Sequence, residues 1–276
     1  MKLISILMSV YNESLNYVQK SVNSILAQTY SKIELIIIID DPTNRPVINY
    51  LYGVRNKFDN VKICINEKNR GLIYSLNEGI KLCEGYYVAR MDADDISLFS
   101  RLKEEVNFLE HNEYDIVGSN YYKINSMDTI IDKTNYAGNN FQVKKRLQKI
   151  NCVGHPTWLL KKTVYEELNG YRNIYSCEDY DFLLRASLRG YKIGVFETPL
   201  LKYRINENGI SQQNSIRQKI ISNLLAKNYK RNEILDLDWL NEYLNSDKYK
   251  RKVNKEKKLF KLKKNIKKCI KINNLN

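Results

Sequence analysis

The sequence contains no run that approaches the roughly 18 apolar residues of a membrane-spanning helix. It has five cysteines, an odd number, and none of them forms a Cys-x-x-Cys pair. These absences argue against a spanning helix, a disulfide framework and a zinc site, and they favour a reducing cytosol. No small-residue cleavage site follows the apolar run 3–10, so we interpret that run as a first strand rather than a signal peptide.

An excess of one charge sign is confined to the end of the chain. The formal net charge is +14, but 13 Lys or Arg and a single acid, Glu256, lie in residues 248–276. Positions 1–247 hold 32 basic and 30 acidic residues, so the body of the chain is close to neutral. The overall charge is therefore no evidence that the body binds nucleic acid.

Short apolar runs and longer amphipathic segments alternate over residues 1–124. Runs such as 33–39 are uninterrupted and apolar, as in strands that are covered on both faces. This alternation predicts an α/β fold with an open, mostly parallel, Rossmann-like sheet and helices on both of its faces. Later the pattern is less regular, with two short strands expected at 193–197 and 200–205.

We predict a single domain at 1–211, with a nucleotide-binding half at 1–124 and an acceptor half at 125–211. Residues 212–276 are predicted to form a helical C-terminal extension, which ends in a basic amphipathic tail at 248–272. The sequence contains no internal repeat.

Two of the predicted strands end in clustered acids. Asp40-Asp41 follow the run 33–39, and Asp92-Ala93-Asp94-Asp95 follow the run 86–91. Ligands of open α/β sheets bind outside the carboxyl ends of the strands, so we expect both clusters to face one ligand. Clustered carboxylates are costly without a cation, and such oxygen ligands suit Mg²⁺ or Mn²⁺ shared with substrate phosphates. The alternative is that these acids only cap the next turn or helix.

Five motifs, in order, resemble those of the family 2 glycosyltransferases, which have the GT-A fold. They are an opening strand and turn, an acid pair, a short loop, an Asp-x-Asp metal motif and a Glu-Asp motif (Ser9-Val10-Tyr11-Asn12-Glu13, Asp40-Asp41, Asn69-Arg70-Gly71, Arg90-Met91-Asp92-Ala93-Asp94-Asp95, Glu178-Asp179). Each motif alone is weak, but the ordered set is specific and covers about residues 2–211. The sequence departs from the family pattern at Asn206, where His is frequent, and at Pro42-Thr43, where Gly-Ser is usual.

The resemblance implies a role for each matching residue. The nucleotide-sugar would be held by Ser9, Tyr11, Asp40, Asp41, Arg70, Asp92 and Arg101. The divalent ion, Mn²⁺ or Mg²⁺, would be bound by Asp94 with help from Asp95 or Asp92. Asp179 would be the general base that takes the proton from the acceptor hydroxyl. Because Asp179 starts a predicted helix, its alternative role is that of an acid favoured by the helix N-terminus.

The acceptor is expected near the segment Gly154-His155-Pro156-Thr157-Trp158, which faces the acceptor in the family that this sequence resembles. We assign His155, Trp158 and Glu178 to this side of the site. Trp158 could stack on a sugar or could belong to the core. A lone histidine is often structural, so His155 has the same alternative.

The tail at 248–272 has the pattern of an interfacial amphipathic helix. Its apolar residues recur at helical spacing among lysines (Leu259, Leu262, Ile266 and Ile270). Such a helix binds an anionic membrane surface, so we expect a peripheral protein at the cytoplasmic, inner face of the cell membrane. The alternative is a solvated tail that packs on the body. Nucleic acid is not an expected partner, because the segment 257–270 offers Phe260 alone for base stacking.

The motifs and the resemblance together predict an inverting, metal-dependent glycosyltransferase. It would move a sugar from a nucleotide-sugar, favoured as a UDP-sugar, to a saccharide or lipid-linked saccharide acceptor in surface polysaccharide synthesis. One alternative is a sugar-nucleotide nucleotidyltransferase, although no Gly-rich, Lys-containing phosphate loop lies near the N-terminus. The other is a non-catalytic protein that binds nucleotide-sugars.

Overall fold

The computed structural model describes residues 1–205 and 215–273. Its strands are β1 (Ile4–Val10), β2 (Ile33–Ile39), β3 (Val61–Ile65), β4 (Tyr87–Asp92), β5 (Ile96–Ser97), β6 (Ile116–Ile124), β7 (Ile130–Lys133), β8 (Leu159–Lys161) and β9 (Ile193–Arg204). Its helices are α1 (Leu15–Leu26), α2 (Arg45–Arg55), α3 (Leu72–Leu82), α4 (Arg101–His111), α5 (Asn140–Leu147), α6 (Lys162–Glu167), α7 (Glu178–Leu188), α8 (Ser215–Lys230), α9 (Leu237–Asn245) and α10 (Asp247–Asn273). A 3-10 turn at His155–Thr157 precedes β8.

The sheet is parallel over the half of the chain that was predicted to bind the nucleotide. Strands β3, β2, β1 and β4 are neighbours in that order, and each pair is parallel. Beyond β4 the order is β8, β6, β9 and β5. There β6 and β9 pair in parallel, whereas β8, β7 and β5 run antiparallel to their partners. The predicted α/β fold is confirmed, and its parallel character belongs mainly to the first half.

Helices cover both faces of the sheet because the central strands are apolar on both faces. In β1, Ile6 and Met8 pack in one cluster with residues of α1, α2 and α4. The intervening Leu7 packs in the opposite cluster with residues of α3, α7 and α8. All seven residues of β2 are buried. This double burial fixes the carboxyl ends of β1, β2 and β4 relative to one another.

The local structure differs from the predictions in the second half of the chain. Residues 193–204 form one strand rather than two, because β9 stays paired with β6 through register irregularities at Asn120. Strands β5 and β7 and helix α6 were not predicted. They contain two, four and six residues, which are too few to give a periodic pattern.

The C-terminal helices pack against the sheet domain. Ile221 and Leu225 of α8 lie in the same core cluster as Phe182 of α7, and Arg172 donates a 2.9 Å hydrogen bond to the carbonyl of Leu235. The extension therefore shares a core with the domain predicted at 1–211. Leu262, Ile266 and Ile270 of the tail lie beyond the side chains that the structure describes. None of the described helices is long and apolar enough to cross a membrane.

Candidate active site

Three motif residues meet at one edge of the sheet because their strands are parallel neighbours. Ser9, near the end of β1, is paired in register with Ile38 of β2 and with Asp92 of β4. The backbone N–H of Asp40 donates to the carbonyl of Val10 at 2.7 Å, which ties the end of β2 to the end of β1. The carboxyl ends of these three strands therefore meet at one edge of the sheet, where the sequence predicted a ligand crevice.

Asp40 organises the loop that follows β3. Its buried carboxylate accepts hydrogen bonds from the backbone N–H groups of Arg70 and Gly71, both at 2.8 Å, and from Nδ2 of Asn66 at 2.7 Å. Gly71 has a φ of +84°, a conformation that favours glycine. These contacts use both carboxylate oxygens, so Asp40 holds the loop in place.

The neighbouring groups are open to the crevice. Tyr11 is 42% exposed, and the Arg70 guanidinium lies 4.2 Å from the centre of the Tyr74 ring. Asp41 Oδ1 accepts from the backbone N–H and the hydroxyl of Thr43, at 2.9 and 2.6 Å. The departure at Pro42-Thr43 thus builds a turn that fixes the Asp41 carboxylate. Tyr11, Asp41 and Arg70 line the edge at which a planar base could bind.

The acidic turn after β4 gathers carboxylates in a partly buried space. Burial, followed by the charges of Asp92 and Glu13, raises the pKa of Asp94 to about 7. Burial raises the pKa of Glu13 as well, and the charge of Asp92 adds to the increase. Asp92 forms an ion pair with the buried Arg90. Glu13 belongs to the opening motif but was given no role in our sequence analysis, since nothing along the chain relates it to Asp94.

Arg204, at the end of β9, locks this turn. Its backbone N–H donates to Asp95 Oδ1 and its Nε to the carbonyl of Asp94, both at 2.8 Å. The guanidinium also lies 4.0 Å from the centre of the Tyr17 ring in α1. Asp95 is fully buried, and its Oδ2 has no hydrogen-bond partner among the described residues. Burial, then the charges of Asp92 and Asp94, raises the pKa of Asp95 well above its usual value.

Arg101 lies below this turn and has no exposed surface. Its Nε donates to Glu105 at 3.0 Å, and its Nη2 donates to the carbonyl of Arg90 at 2.9 Å. Our sequence analysis grouped Arg101 with the nucleotide-binding residues. The contacts show instead that its guanidinium is used within the protein, where it supports the strand that carries Asp92.

Asp179 lies at the first turn of α7, next to Glu178. Its Oδ1 accepts from the backbone N–H of Tyr180, and its Oδ2 accepts from Nδ2 of Asn151, both at 2.7 Å. Burial raises the pKa of Asp179 to about 6, and the charge of Asp92 adds to this increase. The charges of Asp92 and Asp179 therefore interact, although the two residues are 87 positions apart in the sequence. No pattern in the sequence identified Asn151, since it lies in a loop without periodicity.

Trp158 is packed in the interior of the predicted acceptor half, and the partly buried His155 lies against it. Trp158 is fully buried, and its Nε1 donates to the carbonyl of Val153 at 3.2 Å. His155 packs edge-on against Trp158, and its Nε2 lies 2.7 Å from the hydroxyl of Tyr171. Burial, then the charge of Arg90, lowers the pKa of His155 well below its usual value. Of the two alternatives for Trp158, the structure supports the core, and sugar stacking is not available to a fully buried ring.

Comparison with known proteins identifies the family. The model of the family described as Glycosyl transferase family 2 matches residues 5–168. The chain belongs to glycosyl transferase family 2. It is 35% identical over 183 residues to the O-antigen biosynthesis glycosyltransferase WbnJ of Escherichia coli, covering 66% of this chain and 71% of that protein. It is also 30% identical over 233 residues to an uncharacterised glycosyltransferase of Methanocaldococcus jannaschii, covering 84% and 80%.

Solved structures of S. aureus TarS have the same fold. The complex with UDP has a TM-score of 0.62 at 18% identity and covers 90% of this chain and 73% of that chain. The complex with UDP-GlcNAc has a TM-score of 0.64 at 17% identity and covers 88% and 73%. This family 2 glycosyltransferase therefore has the GT-A fold that its motifs predicted.

The acidic turn of this family 2 glycosyltransferase offers carboxylate oxygens, which are the ligand type that Mg²⁺ and Mn²⁺ prefer. Among the described residues, no group of three or more His, Cys, Asp or Glu side chains is arranged to hold a metal ion. The unpartnered Asp95 Oδ2 and the raised pKa of Asp94 show that Arg90 and Arg204 do not fully offset the burial and mutual repulsion of these carboxylates. Mg²⁺ in particular is often held by one or two carboxylates, with phosphates and water completing its coordination. Asn206, the position of the departure from the family pattern, lies outside the described residues.

Proposed function

We propose that this glycosyltransferase transfers a sugar from a UDP-sugar with inversion, using Asp179 as the general base. The observation that carries the proposal is the electrostatic coupling of Asp179 to Asp92, which joins the Glu-Asp motif to the Asp-x-Asp motif in one space. A donor bound at the acidic turn would then have a carboxylate facing it from α7. Membership of a glycosyltransferase family favours this function over a nucleotidyltransferase or a non-catalytic binding protein.

The donor site would lie at the carboxyl edge of β1, β2 and β4. Tyr11 is exposed there to stack on a base, and Asp41 is held to accept from a ring N–H, with Ser9 at the end of the adjacent strand. Asp40 would keep Arg70 in place through the loop contacts. The solved structures of TarS with UDP and UDP-GlcNAc support a uridine nucleotide as the first choice.

A divalent ion, Mn²⁺ or Mg²⁺, would be held by Asp94 together with Asp95 or Asp92. When bound, such an ion supplies positive charge against the diphosphate that leaves the sugar. Arg204 would keep the turn in position through its contacts with Asp94 and Asp95. Arg90, paired with Asp92, would limit the negative charge of the turn before the donor arrives.

Asp179 would take the proton from the acceptor hydroxyl. A pKa of about 6 leaves the carboxylate mostly ionised at neutral pH, yet makes it a stronger base than an exposed aspartate. The hydrogen bond from Asn151 fixes its orientation. Attack from the side opposite the leaving diphosphate, in one displacement, would invert the anomeric configuration. Glu178, whose pKa burial and the charge of Asp179 raise to about 7, would contribute to the acceptor side.

The acceptor is proposed to be a saccharide or lipid-linked saccharide of a surface polysaccharide. The relationship to the O-antigen biosynthesis glycosyltransferase WbnJ supports this class of acceptor. Membrane association would be peripheral, through the basic tail at 248–272. Leu259 and Phe260 of α10, the last apolar side chains that the structure describes, are 39% and 60% exposed, as membrane contact requires.

The experiment that tests this function compares wild-type enzyme with Asp179→Asn. The variant keeps the shape of the side chain but removes the base, so transfer from a UDP-sugar should fall by about a thousandfold or more. UDP should still raise the melting temperature of the variant in the presence of Mn²⁺. Undiminished transfer by the variant would remove Asp179 as the base, and no thermal shift with any nucleotide would refute the donor site. Inversion is tested by NMR, which compares the anomeric configuration of the product with that of the donor sugar.

A further inference from the structure

A basic cavity of about 310 Å³ lies between the end of α5 and the last turns of α8. It is lined by Gln148, Lys149, Asn223, Ala226, Lys227 and Lys230. The three lysines are exposed, and none of them forms an ion pair with any side chain in the described part of the chain. None of the sequence motifs includes these residues, and the proposed donor site does not use them.

The positive charge of the lysines around this cavity is larger than the partial negative charge of the two helix C-termini beside it. Lys227 and Lys230 lie in the last turn of α8, and Lys149 follows α5 by two residues. Two helix C-termini together carry about one unit of negative charge. Three ammonium groups therefore leave an excess of about two positive charges in a concave site. A lysine ammonium binds phosphate oxygens as a point charge, and a diphosphate would supply the missing negative charge.

The cavity is adjacent to the proposed base along the chain. Lys149 is two residues from Asn151, so their Cα atoms are at most about 7 Å apart. Asn151 in turn donates to Asp179. The exposed apolar side chain of Ile150 lies between them in sequence. Lys149 and Asn151 thus connect the cavity to the proposed base through the loop after α5, while Lys227 and Lys230 lie beside a later part of α7, near the contact of Ser187 with the Tyr229 hydroxyl at 2.6 Å.

We propose that this cavity binds the phosphate or diphosphate of a phosphate-bearing saccharide acceptor. The proposal rests on the function proposed above, because it places an acceptor beside Asp179. The volume is near the lower end of the roughly 300–1,000 Å³ found for small-ligand sites, which suits a small anion. The enzyme would thus recognise its acceptor partly by charge, at a point that is separate from the sugar hydroxyl that reacts.

The test measures binding of inorganic pyrophosphate to the full chain by calorimetry. Divalent metal is omitted, because the proposed donor site holds a diphosphate through its metal ion, so pyrophosphate should not occupy that site. The variant Lys149→Gln/Lys227→Gln/Lys230→Gln should bind pyrophosphate about tenfold more weakly than wild type, or worse. The matched control Lys32→Gln/Lys57→Gln/Arg189→Gln also removes three exposed charges, one of them at the end of α7, and should bind like wild type. Equal affinity in the two triple variants would overturn the proposal.

Further arms of the same experiment identify the source of the phosphate. Tighter binding of farnesyl diphosphate than of pyrophosphate would support a lipid-linked acceptor, and equal binding would support a water-soluble one. If the lysine variant loses binding to phosphatidylglycerol vesicles while wild type does not bind pyrophosphate, the lysines serve a membrane surface and the proposal is wrong. Transfer by Asp179→Asn is measured separately, so a failure of the base assignment would not be mistaken for a failure of the cavity.

Discussion

Nδ2 of Asn151 donates a 2.7 Å hydrogen bond to Oδ2 of Asp179, and this contact joins the loop after α5 to the first turn of α7. The other oxygen of Asp179 is held by the backbone N–H of Tyr180. The carboxylate is thereby fixed at both oxygens, each of which retains a lone pair for a proton. Because the Asn151 hydrogen bond stabilises the ionised form, it lowers the pKa of Asp179 against the increase caused by burial.

Replacement of Asn151 by Leu should leave less of the Asp179 base ionised at neutral pH. Without the donor, the pKa of Asp179 should rise by roughly one to two units, since a hydrogen bond to a charged group contributes about 1.5–3 kcal/mol. The acid limb of the kcat profile therefore moves to higher pH, and kcat at neutral pH falls. Thermal shift with UDP should remain as in wild type. A lower kcat with an unmoved acid limb would mean that Asn151 has only a structural role. Asn151→Asp, which adds a like charge, should move the limb further.

Transfer should depend on pH through the pair Glu178 and Asp179. Burial raises the pKa of Asp179 to about 6 and that of Glu178 to about 7, and the two carboxylates repel each other. A base must be ionised, so kcat/KM should decrease as pH falls through this range. Glu178→Gln removes one negative charge, which lowers the pKa of Asp179 and moves the acid limb to lower pH. The measurement is kcat/KM from pH 5 to 9, and a limb that moves upward in Glu178→Gln would contradict the coupling.

Replacing Asp40 by alanine should mainly lower stability, whereas replacing the adjacent Asp41 should mainly lower UDP affinity. Asp40→Ala leaves the Arg70 N–H without its acceptor and takes one of two acceptors from Asn66 and from Gly71, so the free energy of unfolding should fall by about 2 kcal/mol. Asp41→Ala removes a turn contact near the surface and should cost less than about 1 kcal/mol. UDP affinity should nevertheless fall in Asp41→Ala. Urea unfolding and UDP thermal shifts measure the two effects, and equal losses of stability would refute the distinction.

The sequence predicted the parallel half of the sheet and the convergence of its acids for a physical reason. Uninterrupted apolar runs such as 33–39 identify buried strands, and the carboxyl ends of parallel neighbours share an edge. Asp40 and Asp92 could therefore be assigned to one crevice before any coordinates were known. The family resemblance added Asp179, which no rule of strand order brings to that edge.

Burial and long-range hydrogen bonds could not be predicted in the same way. Trp158 lies in a segment whose apolar character suits both a core and a sugar-binding face, and packing against Phe182 decided for the core. Asn151 and Arg204 contact Asp179 and the acidic turn across loops and strands, and the charge of Glu13 acts on Asp94 in the same way. Such contacts depend on loop conformation, which hydrophobic periodicity does not encode. For the same reason, Arg101 was predicted to bind the nucleotide, whereas its contacts support strand β4.

A double-mutant cycle should show that Arg101 supports the fold rather than the nucleotide. Arg101 and Glu105 are fully buried and paired at 3.0 Å. Arg101→Met leaves the Glu105 carboxylate buried without its partner, which should lower the free energy of unfolding by about 3–5 kcal/mol. Adding Glu105→Met removes the unpaired carboxylate and should restore much of that stability, since apolar replacements of a buried pair are often tolerated. The refolded double variant should bind UDP as wild type does. If instead stability returned while UDP binding remained lost, Arg101 would belong to the donor site after all, and its guanidinium would have to leave Glu105 when the nucleotide binds.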